Sequence, residues 1–469
     1  MPHQTNASRD RRPAPASPFL PAPSGALVDG PARLGLLDAI RGFAILGIYW
    51  RNVFVFGMPY FAYAVPGVVA PQVAGDLVAQ LFVAVFVEGT MRALVSMVFG
   101  ASALLIMTAK APADDPLAPF DRYFRRLLWL AALGLAHGYL LLWPHDILFL
   151  YGVLGLTLFP FRAMSPRALT TTAAALLLAS TLIEGSGWRG VGDATGEVEE
   201  IEQQEGSLRD GAPVRLASLA GPSGSRGQAD AEAFDGSAQD LPDEVLDAMA
   251  AEIVARLSGY LENFRLLAKE TFEQQTSELL IHHTFDIGSM LFLGMALAKW
   301  GVLTGAASAS AYRRLALFGL GLGSVFGVIA HDSLIGFAPL LEFSAEWGDY
   351  FFDLRRVSLA LGIIGAFGWL YRARPAALRL LEAPGRLALT LYVMQTIVSI
   401  LVFYGPGLGL FASLGHAELL IFALLVSCAQ LLIANLWLAR FGQGPLERLL
   451  AALVHRHPSA PPLADGRHH

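Results

Sequence analysis

Runs of about 20 mostly apolar residues recur ten times along this chain, near 38–58, 77–108, 123–143, 146–163, 168–184, 279–299, 312–332, 351–372, 386–404 and 418–439. Each matches one crossing of a bilayer's hydrocarbon layer, where every backbone polar group needs a partner inside the protein. A helix meets that demand within its own segment. The expected fold class is therefore all-α: a polytopic integral membrane helical bundle of about ten transmembrane helices. Composition agrees, with 54% of the 469 residues hydrophobic and 15% charged, against about 25% charged in ordinary soluble proteins. The formal net charge of −6 gives no reason to expect nucleic-acid binding. A single cysteine, Cys428, excludes an intramolecular disulfide. No ligand spacing of His, Cys, Asp or Glu recurs, so no metal site is expected.

Positive charge sorts between alternate connections. One side carries Arg9, Arg11, Arg12, Arg33, Lys110, Arg122, Arg125, Arg126, Arg162 and Arg167 in the first half. The same side carries Lys299, Arg313, Arg314, Arg372, Arg374, Arg379, Arg386, Arg440, Arg448 and Arg456 in the second. The opposite connections hold almost none near the span ends, apart from Arg355 and Arg356. Because cytoplasmic loops are enriched in Lys and Arg, both termini are expected in the cytoplasm.

Five regions follow. Residues 1–32, rich in Pro, Ala and Ser, are expected to be a flexible tail, since no long apolar stretch precedes Asp38. An N-terminal transmembrane half covers 33–184, an extracytoplasmic insert 185–278, a C-terminal transmembrane half 279–449 and a second tail 450–469. The insert is acidic: from Asp193 to Glu252 it has 15 Asp/Glu against 3 Arg. Between 243 and 269, Val245, Met249, Ile253, Leu257, Leu261, Phe264 and Ala268 recur at helical spacing. This stretch reads either as an amphipathic helix against the outer mouth of the bundle or as a solvated acidic spacer.

Ionisable residues in such segments are costly, and they often mark function. Asp38, Arg41, Ile45, Ile48 and Asn52 share one face of the first span, with Arg51 about a quarter turn away. The second run is interrupted by Glu88-Gly89-Thr90-Met91-Arg92, so two segments are expected there. Glu88 and Arg92, four apart, suit either a cavity lining or a structural ion pair. His137 lies in the third span, followed by His145 and Asp146 at its outer end. A carboxylate beside an imidazole fixes its tautomer and suits a general base. Equally, His137 could bond a neighbouring helix while Asp146 caps the fourth span. His282, His283, His331 and Asp332 read as interfacial, and Asp353, Arg355 and Arg356 as mutually compensating. Tyr392, Gln395 and Thr396 form a polar patch suited to bonding between helices. Arg122, Arg125 and Arg126 suit lipid headgroups or a diphosphate.

Several ordered blocks resemble the YeiB-like family of bacterial membrane proteins. They are LDAIRGFAILGIYWRN…MPYFAY, VEGTMRALVSMVFGASALLIM, RYFRRLLWLAALGLAHGYLLLWPHDILFLYGVLG, GSMLFLGMALAKWGVL, GRLALTLYVMQTIVSILVFYGPGLGLF and WLARFGQGPLE. The last three are similar to the family's C-terminal domain of unknown function. Arg51, His145 and Arg448 depart from the family's usual apolar residue, glycine and aromatic. The family is grouped with transmembrane acyltransferases, so the resemblance implies a bacterial inner-membrane enzyme. Such an enzyme moves an acyl group from cytoplasmic acyl-CoA, as co-substrate, to an extracytoplasmic glycan or lipid acceptor. On that reading Asp38, Arg41, Arg125 and Arg126 hold the acyl-CoA, and His137, Asp146 and Asn52 are catalytic. Arg51, Glu88, Arg92, His145, Tyr392 and Gln395 line the acceptor side. The same polar track also suits a solute transporter, and the insert a non-catalytic scaffold.

Overall fold

The structure is a computed structural model that describes residues 34–64, 74–109, 115–185, 243–331 and 338–454. The N-terminal tail, the expected flexible loop of the insert up to 242, Lys110, Asp332 and Arg456 lie outside the described residues. Among the described residues the chain is all-helical, with no strand.

The N-terminal half holds α1 (Leu34–Gly57), α2 (Tyr60–Ala64), α3 (Ala74–Phe82), α4 (Thr90–Met107), α5 (Ala118–Leu140), α6 (Ile147–Thr157) and α7 (Pro166–Gly185). The region expected as insert supplies α8 (Asp243–Leu257) and α9 (Tyr260–Gln275). The rest holds α10 (Thr284–Lys299), α11 (Ala309–Ala330), α12 (Ala338–Ala373), α13 (Arg379–Arg386), α14 (Ala388–Phe403), α15 (His416–Phe441) and α16 (Pro445–Val454). Six helical stretches among the described residues are long and apolar enough to cross a membrane, or seven with the bent pair Pro375–Arg386 and Ala388–Phe403. The chain is thus a multi-pass membrane protein. Part of the shortfall from ten has local causes. At 1.5 Å per residue, the 11-residue α6 spans only about 16 Å, and α5 carries charges at its foot.

α1 is the central stave. Leu36, Ala39, Ile40, Ala44, Tyr49 and Val53 are fully buried, and α1 packs on α4, α13, α14 and α15. Its closest neighbour is α13. A Cβ on Gly385 would lie 1.8 Å from the Asp38 carbonyl oxygen, and one on Gly42 2.0 Å from that of Leu381. Small residues let backbones approach this closely, which is what holds helices together in lipid. By contrast α5 buries Tyr123, Leu127, Leu130, Gly134 and His137 at helical spacing while Leu128, Trp129 and Leu135 face outward. Apolar side chains on that outer face suit acyl chains.

The expected break in the second run is present. α3 continues into a π-helical turn, Val83–Val87, and the chain turns at Glu88 and Gly89 before α4 begins. Gly89 has φ +69°, a conformation glycine adopts without steric cost. The single amphipathic helix expected over 243–269 is two, α8 and α9, parted at Ser258-Gly259. Asn263 makes the corner: its buried Nδ2 donates to the carbonyls of Ala255 (2.9 Å) and Gly259 (3.1 Å). α9 then leads through the turn Leu279–His283 into α10. α16 runs past the boundary expected at 449.

Candidate functional site

The second turn of α1 places Asp38 and Arg41 on one face, and Arg41 Nη1 donates to Asp38 Oδ1 at 2.7 Å. Arg41 Nη2 donates to the Ser102 hydroxyl on α4 at 2.7 Å. Arg126 of α5 lies within the field of Arg41, with Glu447 as the nearby carboxylate. Glu447 is itself engaged, accepting from the Thr390 backbone N–H (3.0 Å) and hydroxyl (2.5 Å). Two guanidinium groups are therefore close enough to interact, one held by Asp38 and one near Glu447, and a pair of this kind suits an anion. Arg125 does not join them; it pairs with Asp121 on its own helix at 2.9 Å.

Further along the bundle, polar side chains meet in a buried band. His137 Nδ1 and Asp146 Oδ1 are 2.7 Å apart, and His137 Nε2 lies 2.9 Å from Thr396 Oγ1. Asp146 Oδ2 also accepts the Phe149 backbone N–H at 2.8 Å. Both readings of Asp146 therefore hold: it caps α6 and it orients the imidazole. A carboxylate accepting from Nδ1 assigns the proton to that nitrogen and leaves a lone pair on Nε2, which accepts the Thr396 O–H. Gly134 makes the approach possible, since a Cβ there would sit 2.5 Å from Asp146 Oδ2.

Tyr392 lies beside this group, its ring centroid 5.0 Å from that of His137. Its hydroxyl accepts from Trp143 Nε1 at 3.0 Å and from the Ile147 N–H at 3.3 Å. Gln395 Nε2 donates to the Ile45 carbonyl (3.0 Å) and to Gln430 Oε1 (2.9 Å). Tyr49 and Ser399 share a 2.8 Å bond. Asn52 follows Tyr49 by three residues and precedes Phe56, which stacks on Trp143 at 4.2 Å, by four. Its amide therefore faces the same side of the bundle.

A third group sits towards the other end of α1. The Tyr63 hydroxyl donates to Glu88 at 2.5 Å, Arg51 approaches Glu88 at 3.8 Å, and its guanidinium lies over the Tyr63 ring. His145 pairs with Glu270 of α9 at 3.1 Å. Glu88 and Arg92 do not pair. Gly89 ends the helix between them, and Arg92 meets Asp286 instead at 2.6 Å. Asp286 also holds Arg356, which reaches Asp353 at 2.5 Å. Arg355 was expected to balance Asp353 but donates instead to the carbonyls of Ala84, Val85 and Glu88. On α8, Glu252 accepts the Tyr60 backbone N–H at 2.8 Å and bonds Arg256 at 3.2 Å, while burial raises its carboxyl above the usual 4.5.

Asp286, Glu270, Ser102 and Tyr63 escape the sequence reading. Asp286 had a usable signal, a lone carboxylate inside an apolar run. The others acquire meaning only from residues distant in sequence.

Helices crossing a bilayer around a buried polar column define a multi-pass membrane protein. Residues 297–457 match the family described as protein of unknown function (DUF418). The chain is 27% identical over 433 residues to the uncharacterized protein YeiB of Escherichia coli (strain K12), spanning 90% of this chain and 96% of that one. It is 25% identical over 444 residues to the uncharacterized protein YxaH of Bacillus subtilis (strain 168), spanning 89% and 93%. These similarities support a YeiB-like family. No solved structure matches the chain.

Proposed function

We propose that the protein is a membrane acyltransferase, with about ten spans and both termini in the cytoplasm, carrying an acyl group from cytoplasmic acyl-CoA to a glycan or lipid acceptor outside. One observation carries the reading: a carboxylate–imidazole pair at 2.7 Å whose free nitrogen is directed at a hydroxyl. That is the geometry of a general base prepared to activate an oxygen nucleophile. Arg41, steered by Asp38, and Arg126 would hold the diphosphate, since paired guanidinium groups bind phosphate oxygens well. Asn52 would donate to the oxyanion as the thioester carbonyl is attacked. Arg51, Glu88, Arg92 and His145 would meet the acceptor, and Tyr392 and Gln395 would keep the buried band in register.

The test is thioester consumption by purified protein in detergent. His137→Ala is expected to lower the rate about 10²–10⁴-fold while the protein stays folded; an unchanged rate rejects the assignment. The break at Glu88-Gly89 favours a second reading, a solute transporter, because interrupted spans line transport sites. Transport needs a sealed vesicle and acyl transfer does not, so activity confined to vesicles would select that reading.

A further inference from the structure

We propose that the Thr396 hydroxyl is a nucleophile that carries the acyl group as an ester, so that donor and acceptor react in turn at mid-bundle. The proposal rests on the acyltransferase reading above and deepens it. Asp146, His137 and Thr396 form one chain of hydrogen bonds, 2.7 Å and 2.9 Å long. This is the order of orienting acid, base and nucleophile in the Ser-His-Asp type of triad.

Helical serines and threonines in lipid usually bond the carbonyl four residues back. Here Ser96, Ser102, Thr108, Thr170, Thr181 and Thr271 all do so. Thr396 departs from that habit and gives its hydroxyl to the imidazole of another helix, 259 residues away in sequence. A threonine placed only to quiet its own helix has no need of that partner.

Position fits a relay. Gln395 meets Ile45 and Ser399 meets Tyr49, so Thr396 lies level with that stretch of α1. This is about 6–12 Å along the axis from Arg41, at 1.5 Å per residue. His137 and Thr396 are each 2% exposed, and exclusion of water protects an ester from hydrolysis.

The steps balance. His137 Nε2 takes the Thr396 proton as Oγ1 forms a bond to the thioester carbonyl carbon. The C–S bond then breaks, and the imidazolium, stabilised by Asp146, returns the proton to the departing thiolate. In the second half an acceptor hydroxyl or amine gives its proton to His137 and attacks the ester. Thr396 leaves as the alcohol, recovering that proton.

The test uses the full-length protein in detergent with acetyl-CoA as probe, quenched in acid and mapped by peptide mass, beside a parallel sample labelled with a fluorophosphonate. An acetyl ester on Thr396, lost in Thr396→Val and His137→Ala and retained in Thr396→Ser, is the expected result. Thioester consumption in Thr396→Val should fall about 10²-fold or more. Wild-type turnover by Thr396→Val, or acetyl on a different residue, overturns the relay while leaving acyl transfer intact. If the wild type consumes no thioester, the acyl-CoA reading fails. Fluorophosphonate labelling of Thr396 then upholds the nucleophile, and its absence overturns that too.

Discussion

Asp286 balances two guanidinium groups at once, because it faces Arg92 and Arg356 together. Removing one partner from a buried ion pair leaves a stranded charge, which costs about 3–5 kcal/mol. Asp286→Asn is accordingly expected to lose about that much stability, read as a lowered unfolding midpoint in detergent. Adding Arg92→Met, whose ion pair is with Asp286, should recover part of the loss; no recovery would show that the charge was not the cause. At this scale sequence reading succeeds where partners are local. His137 and Asp146 are nine residues apart, across a helix end and a helix start, so their meeting was legible as one of two options. Glu88 and Arg92 misled because a single glycine between them ends the helical register on which the spacing argument depended. Thr396 was visible as a polar residue, but its partner was fixed only by the packing of α14 on α5.

Among the elements, the α1–α13 crossing is the tightest. The Gly385 Cα touches the backbone of Asp38, so Gly385→Ala must push the two helices apart or tilt α13. Overpacking of this kind costs about 1–3 kcal/mol. The displacement would also disturb Asp38, which positions Arg41. The expected outcome is a lower unfolding temperature together with a raised KM for the thioester. A change in stability alone would separate the crossing from the anion site. Element existence was legible from apolar runs, and so was the break in the second run. Element lengths were not. α12 extends over 36 residues, and α9 joins α10 almost without interruption. In α9 the polar Asn263, Thr271 and Gln275 are buried by neighbouring helices and so lie inside a helix that hydropathy alone would have ended.

For the molecule as a whole, one of the groups that ties α8 to the bundle titrates: Glu252, which accepts the Tyr60 N–H. Burial raises the Glu252 carboxyl, so folding favours its protonated form. The stabilisation from that proton is full below the ordinary carboxyl value of 4.5 and is lost as pH rises through the higher folded value. Glu252→Gln should therefore weaken the pH dependence of α8 protection across that range, measured by hydrogen exchange in detergent. An identical profile in wild type and variant would rule the residue out as the source. The fold class was readable from the whole chain because the bilayer permits so few solutions. How the two transmembrane halves interlock was not, since their contacts join residues hundreds of positions apart.

Arg355 supplies donors to carbonyls of the turn after α3, the first of them 271 residues earlier in the chain. A ribosome releases that turn long before it makes the arginine. Until α12 arrives, those oxygens must lean on water, lipid headgroups or an insertion chaperone, since hydrocarbon offers them nothing. The N-terminal half is thus born unfinished.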